Sequence, residues 1–187
     1  MTEQDRSRWN DKYRTEIHPS EAAQVVKRFY HLAPAKKALD IAAGNGRHSL
    51  FLARNGFTVD AVDISEVGLS GFAGRHPGVR TICADLDQFD IPASRYDLII
   101  NVKFLNRRLF PYLQEGLRPG GVLIFHSLLE MDGTNRHAEH CRDYLLRKNE
   151  LLHAFLTMRI IYYREAADPE SEDAEEMATL VAVKRCL

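Results

Sequence analysis

The chain has 187 residues, of which 45% are hydrophobic and 27% charged, and its formal net charge is −1. These values are typical of one ordinary soluble domain with a full core, so we expect a single domain over residues 1–187. A charge near zero gives no general electrostatic reason for binding nucleic acid or an anionic membrane.

The apolar runs and the cysteines favour the cytoplasm. No apolar run approaches the length of a membrane span, and the first residues, M-T-E-Q-D-R-S-R-W, lack the apolar core of a signal peptide. Cys83, Cys141 and Cys186 are odd in number and have no metal-binding spacing, which indicates free thiols in a reducing compartment. We expect a cytoplasmic protein without nucleic-acid or membrane partners. The sequence leaves its oligomeric state open.

Residues 1–17 form a polar N-terminal arm. Trp9 and Tyr13 are four residues apart, which puts them on one face of a short helix. The arm either docks on the domain or covers a ligand as a lid, with Tyr13 or Arg14 reaching a carboxylate of that ligand. A helix over 21–31 follows, and Ser20 is its expected N-cap.

The stretch 38–53, A-L-D-I-A-A-G-N-G-R-H-S-L-F-L-A, predicts a strand, a glycine turn and a helix. This unit binds nucleotide-like cofactors in open α/β sheets, where free N–H groups at the helix start point at the ligand. The dinucleotide pattern G-x-G-x-x-G is incomplete, because His48 and Ser49 stand where its third glycine would fall. Asp40, ahead of the glycines, suits a ligand with a positive end better than a pyrophosphate.

The same residues resemble the first motif of the class I S-adenosylmethionine-dependent methyltransferases, Asp-x-x-x-Gly-x-Gly. Asp40, Gly44 and Gly46 match it position by position. The resemblance implies S-adenosylmethionine as the cofactor, and it assigns these three residues and Ala42 to the cofactor site. The ammonium and sulfonium groups of this cofactor suit a nearby carboxylate.

Two further acidic positions follow predicted strands. Asp63 ends a strand over 57–62, about 20 residues beyond the glycines, where a carboxylate accepts hydrogen bonds from ribose hydroxyls. Its alternative role is to cap the next helix, and Ile64 beside it joins the predicted cofactor site. By resemblance to the third motif of the family, Asp85 binds the adenine amino group and the Leu86 N–H serves a ring nitrogen; alternatively, Asp85 lies in a surface loop. Asp60 is expected at a strand end or sheet edge, without a role.

Candidate substrate contacts follow two later strands. The most apolar strand, 96–102, should be central, and Asn101 at its carboxyl end joins the cofactor site. Arg107 and Arg108 form either a solvated helix start or a site for an anionic substrate. His126 ends a strand over 122–126 and is either a substrate contact or base, or a structural histidine. His137 and His140 have no third ligand of suitable spacing, so we expect no metal.

Two consecutive strands, 158–165 and 178–186, close the chain without a helix between them and should pair antiparallel. They complete the predicted fold, which is α/β: a Rossmann-like, seven-stranded, mostly parallel sheet with a C-terminal antiparallel hairpin and helices on both faces. The core of this domain covers 36–187. The closing hairpin distinguishes the methyltransferase topology from a dinucleotide-binding fold.

From Trp9 onward the chain is similar to methyltransferases related to tellurite-resistance and thiopurine enzymes. W-N-D-K-Y-R has Lys12 where their pattern has Arg, and D-Y-L-L-R-K-N-E-L-L has Lys148 in place of Pro. The resemblance implies methyl transfer to a small-molecule acceptor, with an anionic or chalcogen compound as one candidate. The alternatives are a non-catalytic S-adenosylmethionine-binding or interaction module of the same fold, and an NAD-linked oxidoreductase. The missing third glycine and the hairpin disfavour the oxidoreductase.

Overall fold

A computed structural model describes residues 3–130, 144–167 and 175–186. The helices are α1 (Glu3–Thr15), α2 (Gln24–Phe29), α3 (Arg47–Arg54), α4 (Glu66–Ser70), α5 (Leu109–Gly116) and α6 (Glu150–Ala154), and a 3₁₀ turn, Tyr30–Leu32, extends α2. The strands are β1 (Lys37–Ile41), β2 (Thr58–Asp63), β3 (Val79–Cys83), β4 (Tyr96–Val102), β5 (Leu117–Leu128), β6 (Arg159–Ala167) and β7 (Glu176–Val183).

The seven strands form one sheet in the order β3-β2-β1-β4-β5-β7-β6. The first five strands in this order run parallel, whereas β7 pairs antiparallel with both β5 and β6. The predicted fold is therefore confirmed, including the antiparallel hairpin. Because the carboxyl ends of β1, β2, β4 and β5 share one edge of the sheet, the residues that follow them meet there.

Both faces of the sheet are covered, which explains why its central strands are mainly apolar. Successive side chains of a strand point to opposite faces. Leu39 and Ile99 accordingly pack in the core under α5 and α6, while Ala38 and Leu98 pack in the core under α2 and α3. Every residue of β4 is buried, as expected for the strand at the centre.

The boundaries of three elements differ from the sequence prediction. The N-cap of α2 is Ala23, not Ser20, because the chain stays extended at Ala23 with ψ of 146° before the helix begins. Helix α4 has only five residues, with Ser65 as its N-cap. Strand β5 begins at Leu117 and therefore includes residues 118–121. Its register with β4 shifts between Tyr96 and Leu98.

Asp60 lies in the interior of the sheet, so its predicted place at a strand end or edge is wrong. It is the third residue of β2, which pairs with β1 on one side and β3 on the other, and it is 1% exposed. The sheet accommodates this carboxylate because Lys37 lies 2.8 Å away and the Tyr96 hydroxyl donates a hydrogen bond of 3.1 Å. A buried carboxylate is tolerated when it is paired and hydrogen-bonded in this way.

Candidate functional site

A cavity of about 420 Å³ opens at the carboxyl edge of the sheet. Its wall combines the loops after β1, β2, β3 and β4, the end of β5, the N-terminal part of α3, and parts of α1 and the segment leading into α2. Its lining residues are Trp9, Tyr13, His18, Pro19, Glu21, Ala22, Ala23, Lys27, Ala42, Ala43, Gly44, Asn45, Arg47, His48, Asp63, Ile64, Leu86, Val102, Lys103, Phe104 and His126. This edge is where open α/β sheets bind ligands.

The glycine turn forms one side of the cavity. Ala42, Gly44 and Gly46 all have positive φ, at 54°, 55° and 75°, a conformation that glycine adopts without steric cost. The turn is held by a hydrogen bond of 3.0 Å from the Ala43 N–H to the Val62 carbonyl. Ala42 and Gly44 line the cavity, whereas Gly46 is the N-cap of α3 behind them.

Asp63 lies on the cavity wall and also joins two of its loops. One carboxylate oxygen accepts a hydrogen bond of 2.8 Å from the Gly44 N–H, and the other accepts one of 2.8 Å from the Ser65 N–H. Burial raises the pKa of this carboxyl, and the backbone hydrogen bonds oppose the rise. Since each carboxylate oxygen can accept more than one hydrogen bond, the group retains capacity for a ligand. Ile64, beside it, also lines the cavity.

Asp40 lies beneath the glycine turn and does not line the cavity. It is 1% exposed, and it accepts a hydrogen bond of 2.6 Å from the Ser49 hydroxyl on α3. Burial raises its pKa to about 7, and the nearby charge of Asp63 acts in the same direction. Its charge therefore depends on pH near neutrality and on any cation bound above the turn.

Helix α1 covers the glycine turn. Trp9 and Tyr13 both line the cavity, with their ring centroids 6.0 Å apart. A Cβ placed on Gly44 would lie 2.2 Å from the Tyr13 hydroxyl oxygen, so the ring sits directly on the turn. Arg14 instead pairs with Asp11 of its own helix at 3.0 Å. The lid prediction thus keeps two of its three residues at the cavity.

Buried polar contacts fix α1 to α4. Asn10 is 7% exposed, and its side-chain oxygen accepts a hydrogen bond of 2.7 Å from the Ser65 hydroxyl. Gly68 permits this approach, because a Cβ there would lie 2.9 Å from both the Gly44 carbonyl oxygen and the Tyr13 ring. The sequence analysis missed both residues, because neither Asn10 nor Gly68 belongs to a distinctive motif.

Of the predicted adenine contacts, only Leu86 lines the cavity. Asp85 is partly exposed, and its side chain accepts a hydrogen bond of 2.9 Å from the Asp87 N–H. Asn101 is 1% exposed and is likewise absent from the lining, because its amide donates a hydrogen bond of 2.6 Å to the Phe104 carbonyl. Asn101 therefore supports the chain where it turns after β4.

Arg107 and Arg108 do not line the cavity. Arg107 donates to both carboxylate oxygens of Glu150, at 2.6 and 2.9 Å, and to the Leu145 carbonyl at 2.8 Å. Arg108 donates to the Leu86 carbonyl at 3.1 Å, and its guanidinium group lies over the Tyr112 ring. These contacts give both arginines a structural role that sequence alone could not show, since most of their partners are far away in the chain.

His126 lines the cavity where β5 ends, and a second histidine lies near it. The His126 Nδ1 lies 2.8 Å from the Thr179 hydroxyl on β7, which orients the ring. His48, on the first turn of α3, also lines the cavity but is only 5% exposed. Burial lowers the pKa of His48 to about 3, and the charges of Arg47 and His126 add to this effect, so the ring is neutral at neutral pH. The sequence analysis noted His48 only as a departure from a glycine pattern.

Metal and membrane sites were searched in the part of the chain that the structure describes. There, the acidic, histidine and cysteine side chains form no group of three that could hold a metal ion. No helix among these residues is long and apolar enough to cross a bilayer. Cys83 and Cys186 are free thiols, whereas Cys141, His137 and His140 lie outside the described residues.

Comparison with protein families finds a match over residues 38–121 to a family described as a methyltransferase domain. This range begins in β1 and ends in β5, so it contains the glycine turn and Asp63. No curated protein matches the chain in sequence.

Solved structures share the fold at low sequence identity. TehB from Haemophilus influenzae is 22% identical with a TM-score of 0.72; the match covers 96% of this chain and 67% of TehB. The 1,6-didemethyltoxoflavin-N1-methyltransferase of Burkholderia thailandensis, solved with S-adenosylhomocysteine, is 19% identical with a TM-score of 0.70. This match covers 98% of this chain and 85% of that enzyme. The [4+2]-cyclase SpnF is 16% identical with a TM-score of 0.70, covering 88% and 79%. At these identities the likeness establishes the fold alone. Together with the domain match, it supports a class I methyltransferase with S-adenosylmethionine as cofactor.

Proposed function

We propose that this protein transfers a methyl group from S-adenosylmethionine to a small-molecule acceptor. One observation carries the proposal: Asp63, the glycine turn and His126 lie on the wall of a single cavity that follows the carboxyl edge of the sheet from β2 to β5. The order of these groups matches a ligand with a ribose at one end and its reacting atom near the other.

The residues of the cavity fit the cofactor chemically. Asp63 offers a carboxylate to the ribose hydroxyls, and Leu86 and Ile64 supply apolar surface beside it for the adenine ring. The buried carboxyl of Asp40, under the glycine turn, can ionise in response to the positive charge of the ammonium and sulfonium groups. Gly44 has positive φ and no side chain, so its backbone can contact a ligand on the side of the turn that Tyr13 covers.

The bound cofactor supplies a methyl group activated by a positive sulfur. What the chain itself must do is align the acceptor with that methyl and exclude water, because the transfer consumes a positive charge and needs no further electrophile. Trp9 and Tyr13, held over the turn by the contact of Asn10 with Ser65, are placed to exclude water. We assign them this lid role and name no obligatory base.

A small acceptor agrees with the space at the β5 end of the cavity. The described walls at the ends of β4 and β5 are Val102, Lys103, Phe104 and His126, and Ala22 and Ala23 also line the cavity. An anionic acceptor was predicted from Arg107 and Arg108, but the guanidinium groups of both residues are engaged within the protein. That prediction therefore no longer rests on these two arginines, and the basic residues on the cavity wall are Lys27, Arg47 and Lys103.

Calorimetric titration with S-adenosylhomocysteine, with NAD as the control, tests the cofactor. We expect micromolar binding of the first and none of the second. Asp63→Ala should weaken binding by about 1–3 kcal/mol through the loss of charge-assisted hydrogen bonds. Asp90→Ala, an exposed carboxylate away from the lining, is the matched control. Binding of NAD instead would favour the oxidoreductase, and an unchanged affinity of Asp63→Ala would place the ribose elsewhere.

Binding alone does not demonstrate methyl transfer. A solved neighbour with this fold is named as a [4+2]-cyclase, so the fold serves more than one chemistry. Transfer of a labelled methyl group to any member of a panel of small acceptors supports the enzyme. Tight binding of S-adenosylhomocysteine with no transfer across the panel would favour the second candidate, a non-catalytic binding or interaction module.

A further inference from the structure

The Nε2 atom of His48 is buried and has no hydrogen-bond partner among the residues that the structure describes. A buried polar atom without a partner lowers the stability of the fold, because it has given up its hydrogen bonds to water. Such atoms are rare in folded proteins, and each one calls for a ligand, a water molecule or a functional reason. His48 lies on the wall of the cavity, so a ligand can meet this need.

The position of His48 assigns it to the acceptor half of the cavity. Asp63, Ile64 and Leu86 mark the end formed by β2 and β3, where the ribose and adenine are proposed to bind. His48 is close enough to His126, on β5, for the charge of His126 to affect it. His126 follows β5, which lies three strands from β2 in the sheet, and His48 lines the same cavity, so we assign the two imidazoles to the opposite end, beyond the glycine turn.

The charges around this end favour a neutral ligand. Lys103 lines the cavity but forms a salt bridge of 2.7 Å with Glu175. Lys27, also on the wall, is paired with Glu21. Arg47, next to His48 in the chain, lines the cavity as well and likewise interacts with other groups of the protein. The remaining surface near His126 is largely apolar, from Val102 and Phe104. An oxyanion would have to compete for basic groups that already have partners within the protein, whereas a neutral O–H or N–H that is hydrogen-bonded loses little on entering an apolar site.

We propose that His48 binds the methyl acceptor through Nε2, and that the acceptor is a neutral compound with an O–H or N–H at or beside the reacting atom. This rests on the proposed function. A neutral imidazole accepts at one ring nitrogen and donates at the other, so either tautomer finds a match in a hydroxyl or a neutral N–H heterocycle. In the transfer, the acceptor atom forms a bond to the methyl carbon as the carbon–sulfur bond breaks, sulfur keeps the electron pair, and the acceptor proton leaves to water.

The first test compares small probes on the complex with S-adenosylhomocysteine by calorimetry. Phenol and pyrazole represent neutral O–H and N–H groups, and selenite represents an oxyanion; each is used at millimolar concentration. We expect saturable binding of phenol or pyrazole, weakened about tenfold in His48→Leu by loss of one hydrogen bond. His153→Leu, an exposed histidine on α6, is the control. Binding of selenite alone, or of no probe, would overturn the assignment of a neutral acceptor.

The second test separates a ligand contact from a structural role. If Nε2 lacks a partner in the free protein, His48→Leu removes an uncompensated polar atom and should raise the melting temperature by a few degrees. Its affinity for S-adenosylhomocysteine should stay unchanged, since the cofactor contacts lie elsewhere. A lower melting temperature would show that His48 stabilises the fold. If S-adenosylhomocysteine binds the wild type and fails to bind His48→Leu, the histidine serves the cofactor, whereas failure of the wild type itself would count against the proposed function.

Discussion

The ionisation of the Asp40 side chain couples it to a bound ligand through charge, without direct contact. Asp40 carries no direct ligand contact, yet it lies under the turn where the cofactor's positive groups are proposed to bind. Its pKa, raised to about 7 by burial, means that the carboxyl is only partly ionised in the free protein at neutral pH. A cation bound above the turn favours the ionised form, so binding should lower this pKa and release a proton.

We predict that the affinity for S-adenosylmethionine rises with pH through about 7, as the Asp40 carboxyl ionises. In the absence of ligand, pH acts on the stability of the fold in the opposite direction: stability falls as pH rises. Because the pKa is higher in the folded state, this group contributes stability below its ordinary pKa, and that contribution is lost as pH rises to about 7. Calorimetry in buffers of different ionisation enthalpy measures the proton released. Asp40→Asn should remove most of it, and an equal proton release from both proteins would assign the effect to another group.

For single residues, the sequence predicted the chemical type of the site residues better than it predicted their contacts in the folded structure. Asp63 is the last residue of β2 and lines the cavity, as predicted, because a strand end is a local feature that the apolar pattern reveals. Arg107 could not be interpreted correctly in this way, since its partner Glu150 is 43 positions away. His48 gave no signal, because the absence of a partner for a buried atom is a property of the packed structure.

At the scale of elements, the glycine turn, α4 and α1 form one packed unit. Gly44 and Gly68 allow the turn, the helix and the Tyr13 side chain to touch, and a Cβ on either glycine would lie within 3 Å of an atom of that side chain. The sequence predicted the turn itself, because its glycines are adjacent to a recognisable strand. It predicted that the N-terminal arm docks on the domain or covers a ligand, but not that Tyr13 packs on Gly44 and Gly68, because these contacts join segments more than 30 residues apart.

Gly44→Ala should therefore impair ligand binding, whereas the same substitution at another glycine with positive φ should not. Gly56 is the matched control: its φ is +87°, and nothing lies within 4 Å of an added Cβ, whereas Gly44 has φ of +55° and the Tyr13 hydroxyl at 2.2 Å. Each substitution should cost about 1–2 kcal/mol of stability from the left-handed conformation. Only Gly44→Ala should also weaken S-adenosylhomocysteine binding. Similar affinities of the two variants in calorimetry would show that this surface of the turn is not used.

The whole molecule is organised by a sheet whose order differs from the order of the chain. The hairpin was predicted as a terminal addition, and its antiparallel pairing is confirmed. Yet β7, the last strand in sequence, lies inside the sheet between β5 and β6, and its Val181 is fully buried. Pairing partners depend on which strand edges remain open once the parallel part has formed, so sequence order alone does not give them.

This arrangement predicts the order of amide hydrogen exchange. Strands β3 and β6 are the edges and have partly exposed side chains along most of their length, whereas β4 is entirely buried. Edge strands open locally, so we expect β3 and β6 to exchange before β1, β4, β5 and β7, although β6 precedes β7 in the chain.

Bound ligand provides a second, independent test, because it slows hydrogen exchange only through those opening motions that disrupt the binding site. With S-adenosylhomocysteine at a hundredfold excess over its Kd, amides that exchange by global unfolding should gain about 2.7 kcal/mol of protection. The Gly44 and Ser65 amides, which donate to Asp63, should also slow. Local opening of β6 leaves the cavity intact, so its exchange should not change. Exchange measured by mass spectrometry with and without ligand tests both points, and a β6 that slows as much as β4 would mean that the hairpin opens only when the whole sheet does.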